Sequence, residues 1–283
     1  MSRLLKLAVF GDPVDHSLSP NIHAQFARQL GVAVDYSRIR CSIEQLSDRM
    51  ARFVTDGGTG ANLTVPLKQA GLRLCRQLDR AARQARAVNT LSLKSDGWHG
   101  FNTDGGGLLL DLERLQMDTR GARILIIGAG GATAGLIGPL LATKPAQVTV
   151  LNRTPKRAIE LAERFEHLGP INAIALDQGP KRNDFNLLIQ ATSLGHAGEL
   201  PNIDPAWLAP GAAAYDFNYG KAHTPFKSWC DDQAVTCHDG LGMLVGQAAL
   251  AFEIWTGKRP EMGGVVEKLK GSGVRGQGSE SSP

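Results

Sequence analysis

Residues 123–134 read RILIIGAGGATA, four aliphatic residues running into three glycines. Ile124, Leu125, Ile126 and Ile127 predict a strand buried on both faces, and Gly128, Gly130 and Gly131 a turn that opens a helix. A turn without side chains lets a pyrophosphate approach the backbone. The helix start adds free N–H groups and the positive end of its dipole. The next strand, VTVLNR at 148–153, ends where such a unit meets an adenine ribose. An acid at that tip would bind the 2′-hydroxyl of NAD. Asn152, Arg153 and Thr154 stand there instead, with Lys156 and Arg157 behind them, and cations without an acid predict NADP. Gly128, Ala129, Gly130, Gly131 and Ala132 are the candidate phosphate-binding residues; Thr133 stands where the third glycine of the usual fingerprint would be.

Three polar clusters fall where strands end in the first hundred residues. The first is His16-Ser17-Leu18-Ser19-Pro20, two hydroxyls at a helix start. The second is Asn62-Leu63-Thr64-Val65-Pro66-Leu67-Lys68, in which Asn62 and Thr64 share one strand face by the period of two. The third joins Val88-Asn89-Thr90 to Asn102-Thr103-Asp104. Together they offer hydroxyls and amides for a polyol, donors for a carboxylate, and one lysine and one aspartate for proton transfer. A lysine beside a carbonyl oxygen donates a hydrogen bond and stabilises the negative charge that develops during reduction. Each residue also has a plain structural reading. Ser19 suits a helix cap as well as a ligand, Asp104 suits the cap of the helix after it, and Asn62 and Asn89 suit bonds to loop backbone. Gln247 lies in an apolar helix, where its amide needs a partner.

The elements that position these groups alternate between strand and helix patterns. Strands are expected at Lys6–Phe10, Val34–Ile39, Ala61–Val65 and Val88–Leu93, and helices opening at Ser19-Pro20, at Ile43–Phe53, and over Leu67–Leu78 and the Ala-rich run beyond. Ser19 is expected as cap of the first helix and Gly31 as its stop. FNTDGGG at 101–107 reads as a hinge, with a helix following at Leu108–Leu115. Phe185–Gln190 and Ala213–Phe217 supply further strands, and residues 240–257 a strongly apolar helix ended by Gly257. The fold class is α/β: an N-terminal domain with a mixed sheet for the substrate, and a Rossmann-type dinucleotide domain. The expected boundaries are 1–103, completed by helices in 239–268, for the substrate domain; 104–238 for the nucleotide domain; and a Gly- and Ser-rich disordered tail at 269–283. The two connections, at Asn102–Gly105 and near Asp239, suit hinge closure.

Composition narrows the class further. The 283 residues carry a formal charge of +4 with no block of like charges, which suits an anionic small molecule and gives no sign of nucleic-acid binding. Aromatic residues make up 6%, too few for a base-stacking platform. Cys41, Cys75, Cys230 and Cys237 are widely spaced without a Cys-x-x-Cys pair, so reduced thiols in a cytoplasmic protein are expected. The seven histidines show no metal spacing, and no metal is expected. No apolar run is long enough to span a bilayer.

The stretches GDPVDHSLSPNIH, GANLTVPLK, AVNT, NTDG, GAGGA, NRT, ATSLG and DGLGMLVGQAA occur in this order from about residue 8 to 257, and together the chain resembles the shikimate dehydrogenase family. That resemblance implies an NADPH-dependent reduction of 3-dehydroshikimate to shikimate, within aromatic amino-acid and chorismate biosynthesis, by a monomer or homodimer. Carried over by position, it makes Lys68 and Asp104 the catalytic pair, Lys68 as general acid/base and Asp104 orienting it and bonding the substrate. Ser17 and Ser19 would hold the carboxylate, and Asn62, Thr64, Asn89 and Gln247 the ring hydroxyls, with Tyr219 over the substrate. Thr192, Phe217, Gly240 and Met243 would join Gly128–Ala132, Asn152, Arg153, Thr154, Lys156 and Arg157 at the cofactor. The alternatives are a paralogous quinate/shikimate dehydrogenase using NAD and a non-catalytic dinucleotide sensor. The chain departs from the family pattern at Gln190, where asparagine is expected, at Phe217-Asn218, at Gly220-Lys221, which lacks a proline, and at Arg80, where an acid is common.

Overall fold

The computed structural model describes residues 4–181 and 183–272, which form two compact units. The first comprises residues up to 108 and 244–267; the second comprises 109–243 and continues from 268. Among the described residues no helix is long and apolar enough to cross a membrane.

The first unit runs β1 (Leu5–Gly11), α1 (Ser19–Leu30), β2 (Val34–Arg40), α2 (Leu46–Thr55), β3 (Gly58–Leu63), a 3-10 turn (Ala70–Leu74), β4 (Cys75–Leu78), α3 (Arg80–Ala85), β5 (Thr90–Lys94), β6 (Gly97–Phe101) and the start of α4 (Asp104–Arg114). Its sheet has the order β2-β1-β3-β5-β6-β4. The β1 pairs are parallel, β3–β5 and β5–β6 antiparallel and β4–β6 parallel, so the sheet is mixed as expected. Phe10, Ala61, Leu63, Leu67, Val88 and Leu91 pack with Met50 and Phe53 of α2 in the core on one face. The second unit runs β7 (Arg123–Ile127), α5 (Gly131–Ala142), β8 (Gln147–Asn152), α6 (Pro155–Phe165), β9 (Ile171–Ala175), β10 (Phe185–Gln190), β11 (Leu208–Asp216), α7 (Thr224–Asp232) and β12 (Thr236–His238). Its sheet is wholly parallel in the order β12-β11-β10-β7-β8-β9. The strand order reverses between β7 and β10, and in such sheets ligands bind outside the carboxyl ends at that switch point. After β12 come α8 (Leu241–Thr256) and α9 (Gly263–Gly271).

Several expectations are corrected. Leu67–Leu78 is not a helix: Gly71 sits against Leu63, where a Cβ would overlap the leucine side chain, and Cys75–Leu78 pairs with β6 as a short edge strand. The glycines at 105–107 lie in the first turns of α4, which starts at Asp104, and not in a loop. Their lack of side chains serves packing. A Cβ on Gly107 would overlap the backbone nitrogen of Gln247, and one on Gly246 would stand 2.6 Å from the Gly107 carbonyl oxygen, so α4 and α8 cross backbone to backbone. Ser19 is the first residue of α1 rather than its cap. Leu18 holds the cap position without a side-chain bond, and the Ser19 hydroxyl is engaged by Ser17. Helix α2 starts at Leu46 instead of Ile43, and β5 begins at Thr90, leaving Val88 and Asn89 in the turn before it. Helix α9 runs through 269–271, the start of the segment expected to be disordered; residues 273–283 lie outside the described residues.

Candidate functional site

In the first unit the polar clusters meet at the ends of β3 and β5 and the start of α4. Lys68 Nζ donates to Asp104 Oδ2 at 2.7 Å. The other carboxylate oxygen accepts from Asn89 Nδ2 at 2.7 Å. Asn89 is a hub: Nδ2 also reaches Thr103 Oγ1 at 2.9 Å, and Oδ1 accepts from the Thr103 N–H at 2.9 Å and the Thr90 hydroxyl at 3.0 Å. Gln247 Oε1 lies 3.4 Å from the same Asn89 amide, and Gln247 Nε2 donates to the Leu244 carbonyl. Asn102 Oδ1 accepts the Asp104 N–H, so the turn before α4 is held by its own asparagine. An acid in the first turn of α4 also opposes the positive end of the helix dipole.

Asn62, at 5% exposure, donates through Nδ2 to the Asn89 carbonyl and to Thr90 Oγ1, while its Oδ1 accepts from the Tyr36 hydroxyl at 2.6 Å. Both amide hydrogens are therefore used, and Asn62 offers a ligand one acceptor lone pair only. Thr64 comes close to Gly11, where a Cβ would overlap its methyl group, and its hydroxyl has no partner among the described residues. Ser17 Oγ donates to Ser19 Oγ at 3.1 Å, and the Arg38 guanidinium holds the Ser17 carbonyl with two bonds, at 3.0 and 2.7 Å. Tyr36 is a residue that sequence reasoning missed. It sits on β2, across β1 from Asn62, and burial raises its hydroxyl pKa although Ser19 bonds it. Beneath it His23 is fully buried, stacked on Tyr36 at 4.4 Å, with its pKa pulled down to about 3 by desolvation against the pull of nearby Asn62.

In the second unit Gly128 follows β7 with φ +114, a conformation that favours glycine, and a Cβ there would stand 2.9 Å from the Ala191 carbonyl oxygen after β10. Cβ atoms on Gly130 and Gly131 would meet open space, so the turn is bare where α5 begins. The first N–H groups of that helix, as in any helix, find no partner in their own ladder. Thr133 does not disturb the turn: fully buried, its hydroxyl donates to the Gly128 carbonyl at 2.9 Å. Asn152 fastens the tip of β8 to the turn, accepting the Ala129 N–H through Oδ1 and donating to the Thr154 carbonyl. Arg153, Thr154, Lys156 and Arg157 are all exposed, Lys156 standing 3.9 Å from Glu160, and the first turn of α6 contains no acid. The bare turn, the open helix start and the acid-free cationic tip fit a dinucleotide bearing a 2′-phosphate.

The remaining predicted residues gather at the carboxyl ends of β10 and β11. A Cβ on Gly128 would lie 3.2 Å from the Thr192 methyl, which puts Thr192 at the switch point. Gln190, fully buried, accepts the Thr192 N–H at 2.6 Å, so the longer side chain still braces this turn. Phe217 packs edge-on against Tyr215, whose hydroxyl donates to Asp111 and accepts the Met243 N–H. Gly240 donates to the Asn218 carbonyl. Tyr219 is half-buried, and burial raises its pKa. Arg80 is exposed at the start of α3, away from any ion pair among the described residues.

Three family patterns match the chain: the shikimate dehydrogenase substrate binding domain at residues 9–91, shikimate / quinate 5-dehydrogenase at 111–197, and the shikimate 5′-dehydrogenase C-terminal domain at 240–267. Among solved structures, it is similar to shikimate 5-dehydrogenase from Thermus thermophilus in complex with NADP(H) and shikimate. That likeness has TM-score 0.84 and 34% identity over 95% of this chain and 99% of that one. An Ael1 enzyme from Pseudomonas putida matches with TM-score 0.85 and 33% identity, over 94% and 98%. Shikimate dehydrogenase from Aquifex aeolicus matches with TM-score 0.81 and 28% identity, over 94% and 97%.

Proposed function

The chain belongs to the shikimate dehydrogenase family, and from that premise we propose that it reduces 3-dehydroshikimate to shikimate with NADPH, reversibly, in aromatic amino-acid biosynthesis. Bound NADPH supplies the hydride. The observation that carries the reading is the Lys68–Asp104 pair at 2.7 Å, set among amides and hydroxyls whose bonds to one another leave only particular atoms free for a polyol. Nζ gives one hydrogen to Asp104 and keeps two for the substrate oxygen. As the carbonyl carbon is reduced, Lys68 stabilises the charge growing on that oxygen and delivers its proton. The lysine side chain is 26% exposed, which leaves it a route to recover the proton from water, whereas Asp104 at 7% is shielded. Asp104, bound by Lys68 on one oxygen and Asn89 on the other, holds the amine in place and keeps lone pairs for a substrate hydroxyl.

The paired hydroxyls of Ser17 and Ser19 suit the substrate carboxylate. Thr64, Gln247 and the single open lone pair of Asn62 suit the ring hydroxyls, with Asn89 placing Asp104 and Tyr219 adding a contact from its own loop. The Gly128–Ala132 turn suits the pyrophosphate, Arg153 with Asn152, Thr154, Lys156 and Arg157 the 2′-phosphate, and Thr192, Phe217, Gly240 and Met243 the nicotinamide end. The four unpaired cysteines suit a reducing cytoplasm. The test is a rate measurement, by absorbance of the reduced nicotinamide, over shikimate and quinate with each of NADP and NAD. Turnover of shikimate with NADP well above the other three combinations is expected. Preference for NAD or for quinate would make the chain the paralogue, and absence of turnover would make it a binding protein.

A further inference from the structure

One buried carboxylate ties together the loops that follow β10, β11 and β12. Asp216 ends β11 with no exposed surface. Its Oδ1 accepts from the Asn218 N–H at 3.0 Å and from Asn218 Nδ2 at 2.9 Å; its Oδ2 accepts from His223 Nδ1 at 3.0 Å. Asn218 passes the link on. Its Nδ2 donates to the Thr192 carbonyl at 3.1 Å after β10, and its own carbonyl accepts the Gly240 N–H at 3.0 Å after β12. Between these anchors lie Phe217, whose N–H bonds the Gln190 carbonyl, and Tyr219. The loops are packed as closely as backbone allows, since a Cβ on Gly195 would overlap the Ala222 carbonyl oxygen and one on Gly240 the Phe217 carbonyl oxygen.

A carboxylate removed from water needs a counter-charge, and here His223 faces it, itself 8% exposed. Burial pulls the imidazole pKa down, but the bonds to Asp216 and Cys237 outweigh it and push the value up to about 9. Nε2 lies 3.9 Å from Cys237 Sγ, a thiol whose pKa is raised by its bond to Cys230 and by burial. The ring is therefore held between an anion and a neutral thiol.

We propose that His223 is a positioning residue for the nicotinamide end of the cofactor: by neutralising and orienting Asp216 it sets Asn218, and through Asn218 the Thr192 carbonyl and the Phe217–Tyr219 turn. This rests on the NADPH reading above. Among the ionisable groups around the ring, Asp216 comes from β11 and Cys237 from β12. Cys230, Lys227 and Asp231 lie on α7, where Lys227 is bound to Asp231, and His196 and Lys221 lie on the flanking 3-10 turns.

Two variants separate brace from bulk. His223→Asn keeps a donor where Nδ1 stands but carries no charge; His223→Leu removes both. NADPH binding to the full chain, read by nucleotide fluorescence without substrate, is measured beside kcat and both KM values, below and above about pH 9. His223→Leu is expected to weaken NADPH binding about tenfold at neutral pH, the loss of one charge-assisted bond, and His223→Asn, which keeps the donor without the charge, to recover only a small part of it. Wild-type binding should weaken above that pH while His223→Asn stays level. If His223→Leu fails to fold, Asn218→Ala, which cuts the Thr192 link and leaves the ion pair, should show the same loss. Folded variants that bind NADPH like wild type, or wild-type and His223→Asn profiles that coincide with pH, overturn the proposal. Wild-type protein that binds NADPH but turns over no substrate overturns the functional reading and leaves the brace tested by binding; wild type that binds no NADPH overturns both.

Discussion

The two candidate half-sites are built on opposite plans. Around Lys68 and Asp104 the polar atoms are largely committed to one another: Asn89 makes bonds through every atom of its amide, Asn62 keeps one lone pair, and Asp104 is gripped on both oxygens. At the Gly128–Ala132 turn and the tip of β8, by contrast, the helix start is bare and the cations are exposed. A site that must aim a proton to within a fraction of an ångström is preorganised by its own network. A site that only holds phosphates can leave donors waiting in water, because solvent satisfies them cheaply until the ligand arrives. Losses in the first region should therefore damage chemistry and stability together, and losses in the second should touch the ligand alone.

The strongest way to break that contrast is Lys68→Ala. Removing the proton donor should lower kcat roughly 10²–10⁴-fold with a smaller change in substrate KM. It also strands Asp104 at 5% exposure without its partner, so the melting temperature should fall as well. NADPH binding measured without substrate should stay as in wild type. A variant with near-normal turnover would remove Lys68 from the chemistry; one that is inactive yet fully stable would show that the network is looser than its geometry implies.

Next in size is Gly107→Ala. Alanine favours a helix over glycine by about 1 kcal/mol, yet its Cβ would be driven into the Gln247 backbone, and overpacking of this kind costs about 1–3 kcal/mol. Thermal unfolding should therefore show destabilisation, with a fall in kcat as Gln247 and Asp104 are pushed apart. A melting point at or above wild type would mean that the crossing of α4 and α8 is slack.

This pair of glycine-rich segments shows what the sequence could tell. Gly128, Gly130 and Gly131 were readable because their meaning is local: strand, turn and helix start within a dozen residues. Gly106 and Gly107 carry the same signal with another cause, a neighbouring helix more than a hundred residues away that nothing local announces. The segment 67–78 failed for a related reason. Leu67, Ala70, Leu74 and Leu78 fall at helical spacing, and only the pairing of Cys75–Leu78 with β6 reveals the strand. The polar clusters at the strand ends were visible by type and position. Tyr36 and His223 were not, since nothing near Tyr36 in the chain announces Asn62, and the partner of His223 is set by where β11 ends.

The alkaline limb of stability sharpens the comparison from the second unit, where a closed network does exist. The His223 pKa is raised in the folded chain to about 9 from an ordinary 6.5. The stabilisation is therefore fully present below the unfolded value and is lost as pH rises through about 9, a decline of roughly 2 kcal/mol between neutral and strongly alkaline pH. Chemical denaturation across that window should show the decline in wild type and a flatter profile in His223→Asn. Parallel profiles would place the pH-sensitive group elsewhere.

The smallest expected effect tests the open region most directly. Arg153 is exposed at the tip of β8 with no partner among the described residues, so its removal leaves nothing buried and unpaired. Arg153→Ala should leave the melting temperature and kcat unchanged within error. It should raise the KM for NADPH by about tenfold, the worth of a charge-assisted bond to a phosphate in partial solvent contact, and leave the KM for NADH where it was, because NADH has no 2′-phosphate to lose. The effect should also shrink with added salt, since an exposed cation is screened far more than the partly buried Lys68–Asp104 pair. If Arg153→Ala weakens both cofactors equally, the cation supports the turn instead of reading the phosphate. If it lowers stability as well, the tip of β8 is a closed network too, and the difference between the two half-sites disappears.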